Sequence, residues 1–262
     1  MKVDDSESYD KLLASLGELK KLERLEYSVL ESTEKQVKEF VNSLSKLTKL
    51  TDLKICFDDF SSHDGVEAYH NAEDLNEAMK NLKDLETLDI SNMNLPDSVL
   101  QTISRSLEDL MKLKTLNVSG NPINAKTAKV LSESLKNMDS LVTFIANNCE
   151  INDAAFSALC GGLQNSSLQY MYFSGNNIVS SVKSLPVSQM KSLTVLNFAR
   201  NKIKLSNVVG FMETIPEGSK LEIVNWEGND FSGIGESQRT EEMNKLKIWK
   251  REHKVNTLDL GI

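Results

Sequence analysis

The sequence is poor in the residues that define several classes of protein. Cysteine occurs only three times, at Cys56, Cys149 and Cys160. An odd number of cysteines without paired spacing argues against an exported disulfide framework. Four prolines and twelve glycines in 262 residues leave little room for flexible linkers or low-complexity tails. The composition therefore predicts a folded chain in a reducing compartment, that is, a cytoplasmic protein.

Long apolar runs and an excess of positive charge are also missing. No segment approaches the ~20 apolar residues that a membrane span requires, so we expect no such span. The N-terminus contains no apolar core of a secretory signal. The 38 acidic residues outnumber the 30 basic ones, which gives a net charge of −8. Because a phosphate-binding surface needs concentrated positive charge, the composition argues against a nucleic-acid partner.

Sequence motifs for catalysis are equally scarce. The chain contains no G-x-x-x-x-G-K-[ST], no G-x-S-x-G and no H-E-x-x-H. Three histidines in all offer little for acid–base catalysis by imidazole. His63, Asp64 and His70 lie close together in the sequence, but the two histidines lack the i, i+4 spacing of helical metal ligands. The sequence thus predicts a protein that is not an enzyme and that needs no metal or other cofactor.

What the sequence has instead is a repeat that extends over nearly the whole chain. The clearest copies are LETLDISNMNL, which begins at Leu85, and LKTLNVSGNPI, which begins at Leu113. Alternating apolar residues in each copy predict a short strand with one buried face. The amphipathic segment that follows each copy predicts a helix. Copies of this frame begin at residues 22, 50, 85, 113, 141, 168, 193, 221 and 255.

The frame resembles the leucine-rich repeat, L-x-x-L-x-L-x-x-N/C-x-L, and its usual length near 28 residues resembles the ribonuclease-inhibitor type. The resemblance implies an α/β solenoid, a horseshoe or arc with an inner parallel sheet and outer helices. We expect residues 1–262 to form a single domain of about eight to nine such repeats. Stacked neighbours would bury a continuous core that no single repeat can form.

A polar residue recurs at the turn just after the strand. A buried amide at this position can bond the backbone groups of adjacent turns, because it offers both donors and acceptors. Cys149 fits the N/C alternative of the family frame, whereas Met93 departs from it. The asparagines at this position are Asn121, Asn176, Asn201 and Asn229. We expect them to form a ladder along the array.

Several segments depart from the regular frame. The repeat that begins at Leu50 is seven residues longer than its neighbours, and we assign the surplus to an inserted loop at 58–72. The short repeat from Leu168 to Leu193 includes Pro186, which predicts a turn or 3₁₀ segment in place of its helix. Residues 1–21 are expected to supply an N-terminal helix.

The other end of the chain, 236–262, is expected to supply a helix and a closing strand. Neither end carries an obvious polar cap beyond the N-terminal helix, although repeat arrays need such caps. This slightly favours a piece of a longer protein with flanking domains.

Strand positions that alternate with the buried ones point onto the concave face of the predicted sheet. These positions are small, polar or charged in the first half of the array and become apolar and aromatic in the second half. Exposed aromatic residues on a rigid sheet are typical of protein-binding surfaces. The candidate partner-binding residues are Ile145, Tyr170, Tyr172, Val195, Asn197, Ile223 and Asn225. Two alternatives remain open: an adjoining segment covers this surface, or its asparagines bond one another across strands.

Together these observations predict a non-catalytic scaffold that binds a protein partner on its concave face. A fold alone does not choose among the functions that share it. The array is similar to the sensor and autoinhibitory repeats of nucleotide-binding immune receptors, and to those of tropomodulins and other actin regulators. A GTPase-activating protein is a further alternative, for which Arg200 at the end of a strand is the candidate residue.

Overall fold

The computed structural model describes residues 6–29, 33–57, 73–164 and 167–261. The insertion predicted at 58–72 lies outside the described residues. The helices within the described ranges are α1 (Ser6–Leu16), α2 (Glu34–Leu44), α3 (73–79), α4 (Asp97–Ser106), α5 (Ala125–Leu135), α6 (Asp153–Cys160), α7 (Leu205–Met212) and α8 (Glu236–His253). Two short 3₁₀ helices are η1 (Leu107–Asp109) and η2 (Ser181–Ser184).

The strands are β1 (Arg24–Val29), β2 (Asp52–Phe57), β3 (Thr87–Asp89), β4 (Thr115–Asn117), β5 (Thr143–Ile145), β6 (Tyr170–Tyr172), β7 (Val195–Asn197), β8 (Ile223–Asn225) and β9 (Thr257–Asp259). These nine strands form one sheet in sequential order, and every neighbouring pair is parallel. The central residues of successive strands are in register, as Leu88, Leu116 and Phe144 show. This arrangement confirms the α/β leucine-rich-repeat solenoid. No helix of the described ranges has both the length and the apolar character that a bilayer crossing demands.

One face of the sheet is buried and the other is open. In β3 to β7 the central residue is buried while its two neighbours are only half-buried. Buried residues of the strands, the helices and their connections form one hydrophobic cluster that extends from Leu13 to Val255. Each repeat therefore buries its apolar residues against its neighbours, and the open face of the sheet plays no part in the core.

Aromatic side chains fill the core beneath β6, β7 and β8. Phe173, Phe198 and Trp226 occupy the same position in three consecutive repeats and are fully buried. The ring centroids of Phe173 and Phe198 lie 5.6 Å apart, and those of Phe198 and Trp226 lie 5.1 Å apart, with nearly parallel planes in both pairs. Phe198 and Trp226 therefore serve packing, as their core positions in the frame indicate.

The predicted asparagine ladder is present. Asn176 accepts hydrogen bonds from the N–H groups of Cys149 and Ile151 at 2.9 and 3.0 Å. Its amide nitrogen donates to the carbonyls of Ala146 and Phe173 at 2.8 and 2.9 Å. Corresponding bonds, which tie each turn to the preceding repeat, are made by Asn121, Asn201 and Asn229. The ladder thus satisfies buried backbone groups that no helix or strand can satisfy.

Cys149 replaces an asparagine in this ladder. Its thiol lies 3.4 Å from the carbonyl oxygen of Val118 and 3.3 Å from that of Asn147, and it donates its proton there. Burial raises the pKa of Cys149 to about 12. The thiol is therefore protonated at neutral pH, as a hydrogen-bond donor in this position must be.

Side-chain caps mark the start of several helices. Asn124 caps α5 and Asn152 caps α6 by accepting backbone N–H bonds. Pro96 occupies the N-cap of α4, and the helix begins at Asp97. The predicted loss of a helix in the short repeat is confirmed by η2.

Asp153 joins α6 to the short repeat that follows. Its carboxylate accepts hydrogen bonds from the backbone N–H groups of Val179, Ser180 and Ser181 and from both serine hydroxyls, at 2.7 to 3.1 Å. Partial burial by itself would raise the pKa of Asp153, but these bonds hold the pKa well below its usual range. The carboxylate thereby anchors η2 where a longer helix is missing.

Replacing Asn176 by alanine should reduce the free energy of unfolding by about 2–4 kcal/mol, because the change leaves several buried backbone groups unpaired. Urea unfolding followed by circular dichroism measures this difference. Asn177→Ala is the matched control, since the Asn177 side chain makes no hydrogen bond to the described residues. A comparable loss in both variants would contradict the role assigned to the ladder.

Asp153→Asn should destabilise the protein at neutral pH by about 1–3 kcal/mol, because it removes a charge that accepts several hydrogen bonds. Since the folded-state pKa of Asp153 is depressed, its contribution is present above the unfolded-state pKa of about 3.9 and is lost as the pH falls below that value. The urea midpoints of wild type and variant should therefore converge on acidification. Asp139→Asn, an exposed carboxylate nearby, should show neither effect. A difference that is independent of pH would contradict the assignment.

Candidate functional site

The seven candidate residues lie in two rows that cross the open face of β5 to β8. We call these seven residues the open-face site. One row, in strand register, consists of Tyr170, Val195 and Ile223. The other row consists of Ile145, Tyr172, Asn197 and Asn225. Because neighbouring strands are about 4.8 Å apart, adjacent members of a row lie within side-chain contact range.

The open-face site is more shielded than the alternation of the sequence suggested. Ile223 is 38% exposed, and the other six residues are half-buried. Side chains in one row shield each other, since each stands beside the next at the strand spacing. The hydroxyls of Tyr170 and Tyr172 make no hydrogen bond to the described residues. Each tyrosine thus combines a half-buried ring with a hydroxyl that has no partner among the described residues.

Asn197 and Asn225 use their amide oxygens within their own strand ends. Asn197 Oδ1 accepts the N–H of Ala199, and Asn225 Oδ1 accepts the N–H of Glu227, both at 2.8 Å. Asn197 and Asn225 do not bond each other, because the local turn takes the acceptor of each. Bonding between small polar residues of neighbouring repeats does occur where Asn147 Oδ1 accepts the N–H of Ser174 at 2.7 Å. The amide nitrogens of Asn197 and Asn225 donate to no described residue. Each asparagine therefore offers N–H donors to the open face.

The first half of the open face has a different character. Arg24 and Asp52 form an ion pair at 3.5 Å, and Lys54 pairs with Glu26 on the neighbouring strand. The carboxylate of Glu26 raises the pKa of Lys54 by hydrogen bonding and charge. These four charges are thus paired between the neighbouring strands β1 and β2.

A rim of left-handed backbone borders the open face. In each repeat from β3 onwards, the residue just before the ladder position has a φ between 54° and 71°. These residues are Asn92, Gly120, Asn148, Gly175, Arg200, Gly228 and Gly261. Glycine and asparagine tolerate this conformation best, because a Cβ crowds the following carbonyl. Arg200 is the exception among these seven positions, and its side chain is exposed.

In three pairs of neighbouring repeats, a rim glycine lies against the larger rim residue of the preceding repeat. A Cβ added to Gly120 would collide with the Asn92 side chain, and a Cβ added to Gly175 would collide with that of Asn148. The aliphatic part of Arg200 lies over Gly228 in the same way, with its Cγ 3.2 Å from such a Cβ. The glycines therefore leave room for the side chain of the preceding repeat.

The sequence interpretation missed a segment without negative charge. Residues 154–212 contain five lysines and arginines and no aspartate or glutamate, so the rest of the chain holds 25 basic and all 38 acidic residues. This carboxylate-free segment includes β6 and β7 and therefore Tyr170, Tyr172, Val195 and Asn197. The net charge of the whole chain conceals it, whereas a count made repeat by repeat identifies it from the sequence alone.

Arg200, Lys202 and Lys204 project from the rim after β7. They are exposed at alternate positions, with the buried Asn201 and Ile203 between them. Arg200 and Lys202 form no ion pair with any residue in the described ranges. The carboxylate-free segment thus places unpaired cations at the edge of the open-face site.

A metal site requires several ligating side chains that lie close together. Within the described ranges no three His, Cys, Asp or Glu side chains are grouped for a metal ion. His63, Asp64 and His70 lie outside those ranges. Burial raises the pKa of Cys160 to about 12, which makes its thiol a poor nucleophile at neutral pH.

Several solved structures are similar to this chain at low sequence identity. They are the TLR13–ssRNA13 complex (18% identity, TM-score 0.49, 87% of this chain and 31% of that chain), a plant ice-binding protein (15%, 0.43, 79% and 56%), and the plant peptide hormone receptor RGFR1 in complex with RGF2 (13%, 0.40, 80% and 34%). The chain spans between 31% and 56% of the length of these proteins. No protein-family model and no curated protein matches the sequence.

Arg200→Gly should keep the free energy of unfolding or raise it by up to about 1 kcal/mol, because glycine relieves the left-handed strain. Gly175→Ala should lower it by at least about 1–2 kcal/mol, since its Cβ is strained and collides with Asn148. Urea unfolding of both variants measures the contrast. A clear destabilisation by Arg200→Gly would show instead that the arginine stem is needed for packing on Gly228.

Proposed function

We propose that the protein is a non-catalytic scaffold that binds a polypeptide partner on the open face of β5 to β8. The observation that carries this proposal is the pair Tyr170 and Tyr172, which stand on one strand with unpartnered hydroxyls and apolar neighbours. Stacked aromatic rings already fill the core beneath the two tyrosines, so the tyrosines are not needed for core packing. A rigid aromatic surface binds with little loss of side-chain entropy.

The shape of this surface favours a polypeptide over a small molecule. A small ligand binds tightly when a cleft covers most of its surface, whereas an open sheet covers one side of a ligand only. Four strands at about 4.8 Å spacing present a strip roughly 15 Å wide, which suits a helix or an extended segment. A few aromatic anchors typically supply most of the binding energy of such an interface.

We infer three further properties with this proposal. The repeats are of the ribonuclease-inhibitor-like type, since most strands are followed by a helix and the usual length is near 28 residues. Residues 1–262 act as one repeat domain, in line with the single sheet from β1 to β9. The protein works in the cytoplasm, because the three cysteines are free thiols that a reducing compartment maintains.

The double substitution Tyr170→Ala/Tyr172→Ala should abolish binding to partners captured from cytosolic extract, with affinity reduced at least about 100-fold for two lost aromatic anchors. Affinity capture followed by mass spectrometry compares the wild-type chain with this variant. The control is Thr87→Ala/Thr115→Ala, which changes the same row in the polar half of the open face. Circular dichroism establishes that all three fold alike. Equal capture by wild type and tyrosine variant would overturn the proposal.

A further inference from the structure

The open-face site and the carboxylate-free segment overlap on β6 and β7, and this overlap indicates what kind of partner fits. Tyr170, Tyr172, Val195 and Asn197 belong to the two strands inside residues 154–212. The whole chain has a net charge of −8, but this segment contains no carboxylate. An acidic ligand is therefore repelled less here than elsewhere on the protein. Electrostatic complementarity therefore favours a ligand with negative charge here.

The donors that border the site support the same conclusion. Asn197 and Asn225 present free amide N–H groups on the open face itself. Arg200 lies on the rim three residues after Asn197, in the turn that follows β7. Lys202 follows as a second unpaired cation. Donors therefore predominate along the border from Asn197 to Lys202, and a partner that supplies acceptors fits them.

The backbone conformation of Arg200 is a separate observation. The equivalent residue is glycine or asparagine in the other repeats from β3 to β9, and those residues fit the left-handed region. An arginine with a φ of 54° therefore stands at a turn position that suits a smaller side chain, and its side chain is exposed there. Its planar guanidinium is suited to a two-point bond with a carboxylate.

We propose that the partner segment is an acidic peptide, in which an aromatic or aliphatic side chain packs on Tyr170 and Tyr172 while adjacent carboxylates bind Arg200 and Lys202. This inference rests on the proposed function and adds the chemistry of the partner to it. A nucleic acid is the less favourable occupant. Glu222 and Glu227 are exposed just before and just after β8. A short acidic segment over β6 and β7 avoids them, whereas a phosphate backbone that crosses several strands would meet them.

The test selects peptides from a random phage-displayed library on the immobilised full chain. Selected peptides are then synthesised, together with versions in which glutamine and asparagine replace the acidic residues. Fluorescence anisotropy measures their binding to the wild type, to Tyr170→Ala/Tyr172→Ala and to Arg200→Gly/Lys202→Gln. The matched control is Arg105→Gln/Lys129→Gln, which removes two exposed cations from the outer helices α4 and α5.

The proposal expects selected peptides that combine carboxylates with an apolar anchor. Their affinity should fall at least about tenfold in Arg200→Gly/Lys202→Gln and in the amide versions, because each change removes charge-assisted hydrogen bonds. It should fall with rising ionic strength. The control variant should bind like the wild type.

Other outcomes separate the two levels of the proposal. Peptides that depend on the tyrosines but carry no acidic residues, and bind the rim variant unchanged, would overturn the acidic partner and leave the open-face site standing. Selection of no peptide that depends on the tyrosines would overturn both. A single-stranded RNA oligonucleotide that binds more tightly than any peptide, and loses that binding in the rim variant, would replace the acidic peptide with a nucleic acid.

Discussion

The bonds of the asparagine ladder are the constraint on which the rest of the structure depends. A parallel sheet requires a crossover connection between every pair of strands, and each crossover here begins with a turn that faces the core. The N–H and C=O groups of such a turn lie away from water and need partners. One amide side chain supplies an acceptor and two donors at once, and so fixes the turn of one repeat on the turn of the preceding one.

Because the turns are regular, the open face of the sheet lies outside the hydrophobic core. The central residue of each strand and the ladder residues carry the packing, and both point inward. The first half of the array uses its open face for ion pairs such as Arg24 with Asp52. The second half presents Tyr170 and Tyr172 instead, above a core of stacked Phe173 and Phe198. Side chains that contribute little to folding are the ones that can vary to suit a partner.

The fold could be predicted from the sequence because its determinants are local and repeated. Strand register, the ladder and the reduced helix at Ser181–Ser184 all follow from a frame that several copies reinforce. A proline suits either the N-cap or the first turn of a helix, so Pro96 alone does not fix the first residue of α4. The membership of the open-face site also follows from strand alternation, but its exposure does not. Exposure depends on how much of each side chain its neighbours cover, and the repeat frame does not specify this.

Contacts between repeats set the features that sequence analysis overlooked. The side-chain oxygen of Asn197 accepts the N–H of Ala199 at the end of its own strand. A search for partners on neighbouring strands alone does not find this bond. The left-handed backbone of Arg200 follows from its place in the turn, and no property of arginine predicts it.

The carboxylate-free segment can be counted from the sequence, but only the fold shows which of its residues share a surface. Period-two alternation within each strand separates folding from recognition, because the inward residues fix the repeat and the outward residues are left free. A change of partner therefore requires substitutions at outward and rim positions alone, and the ladder and the core beneath can stay as they are.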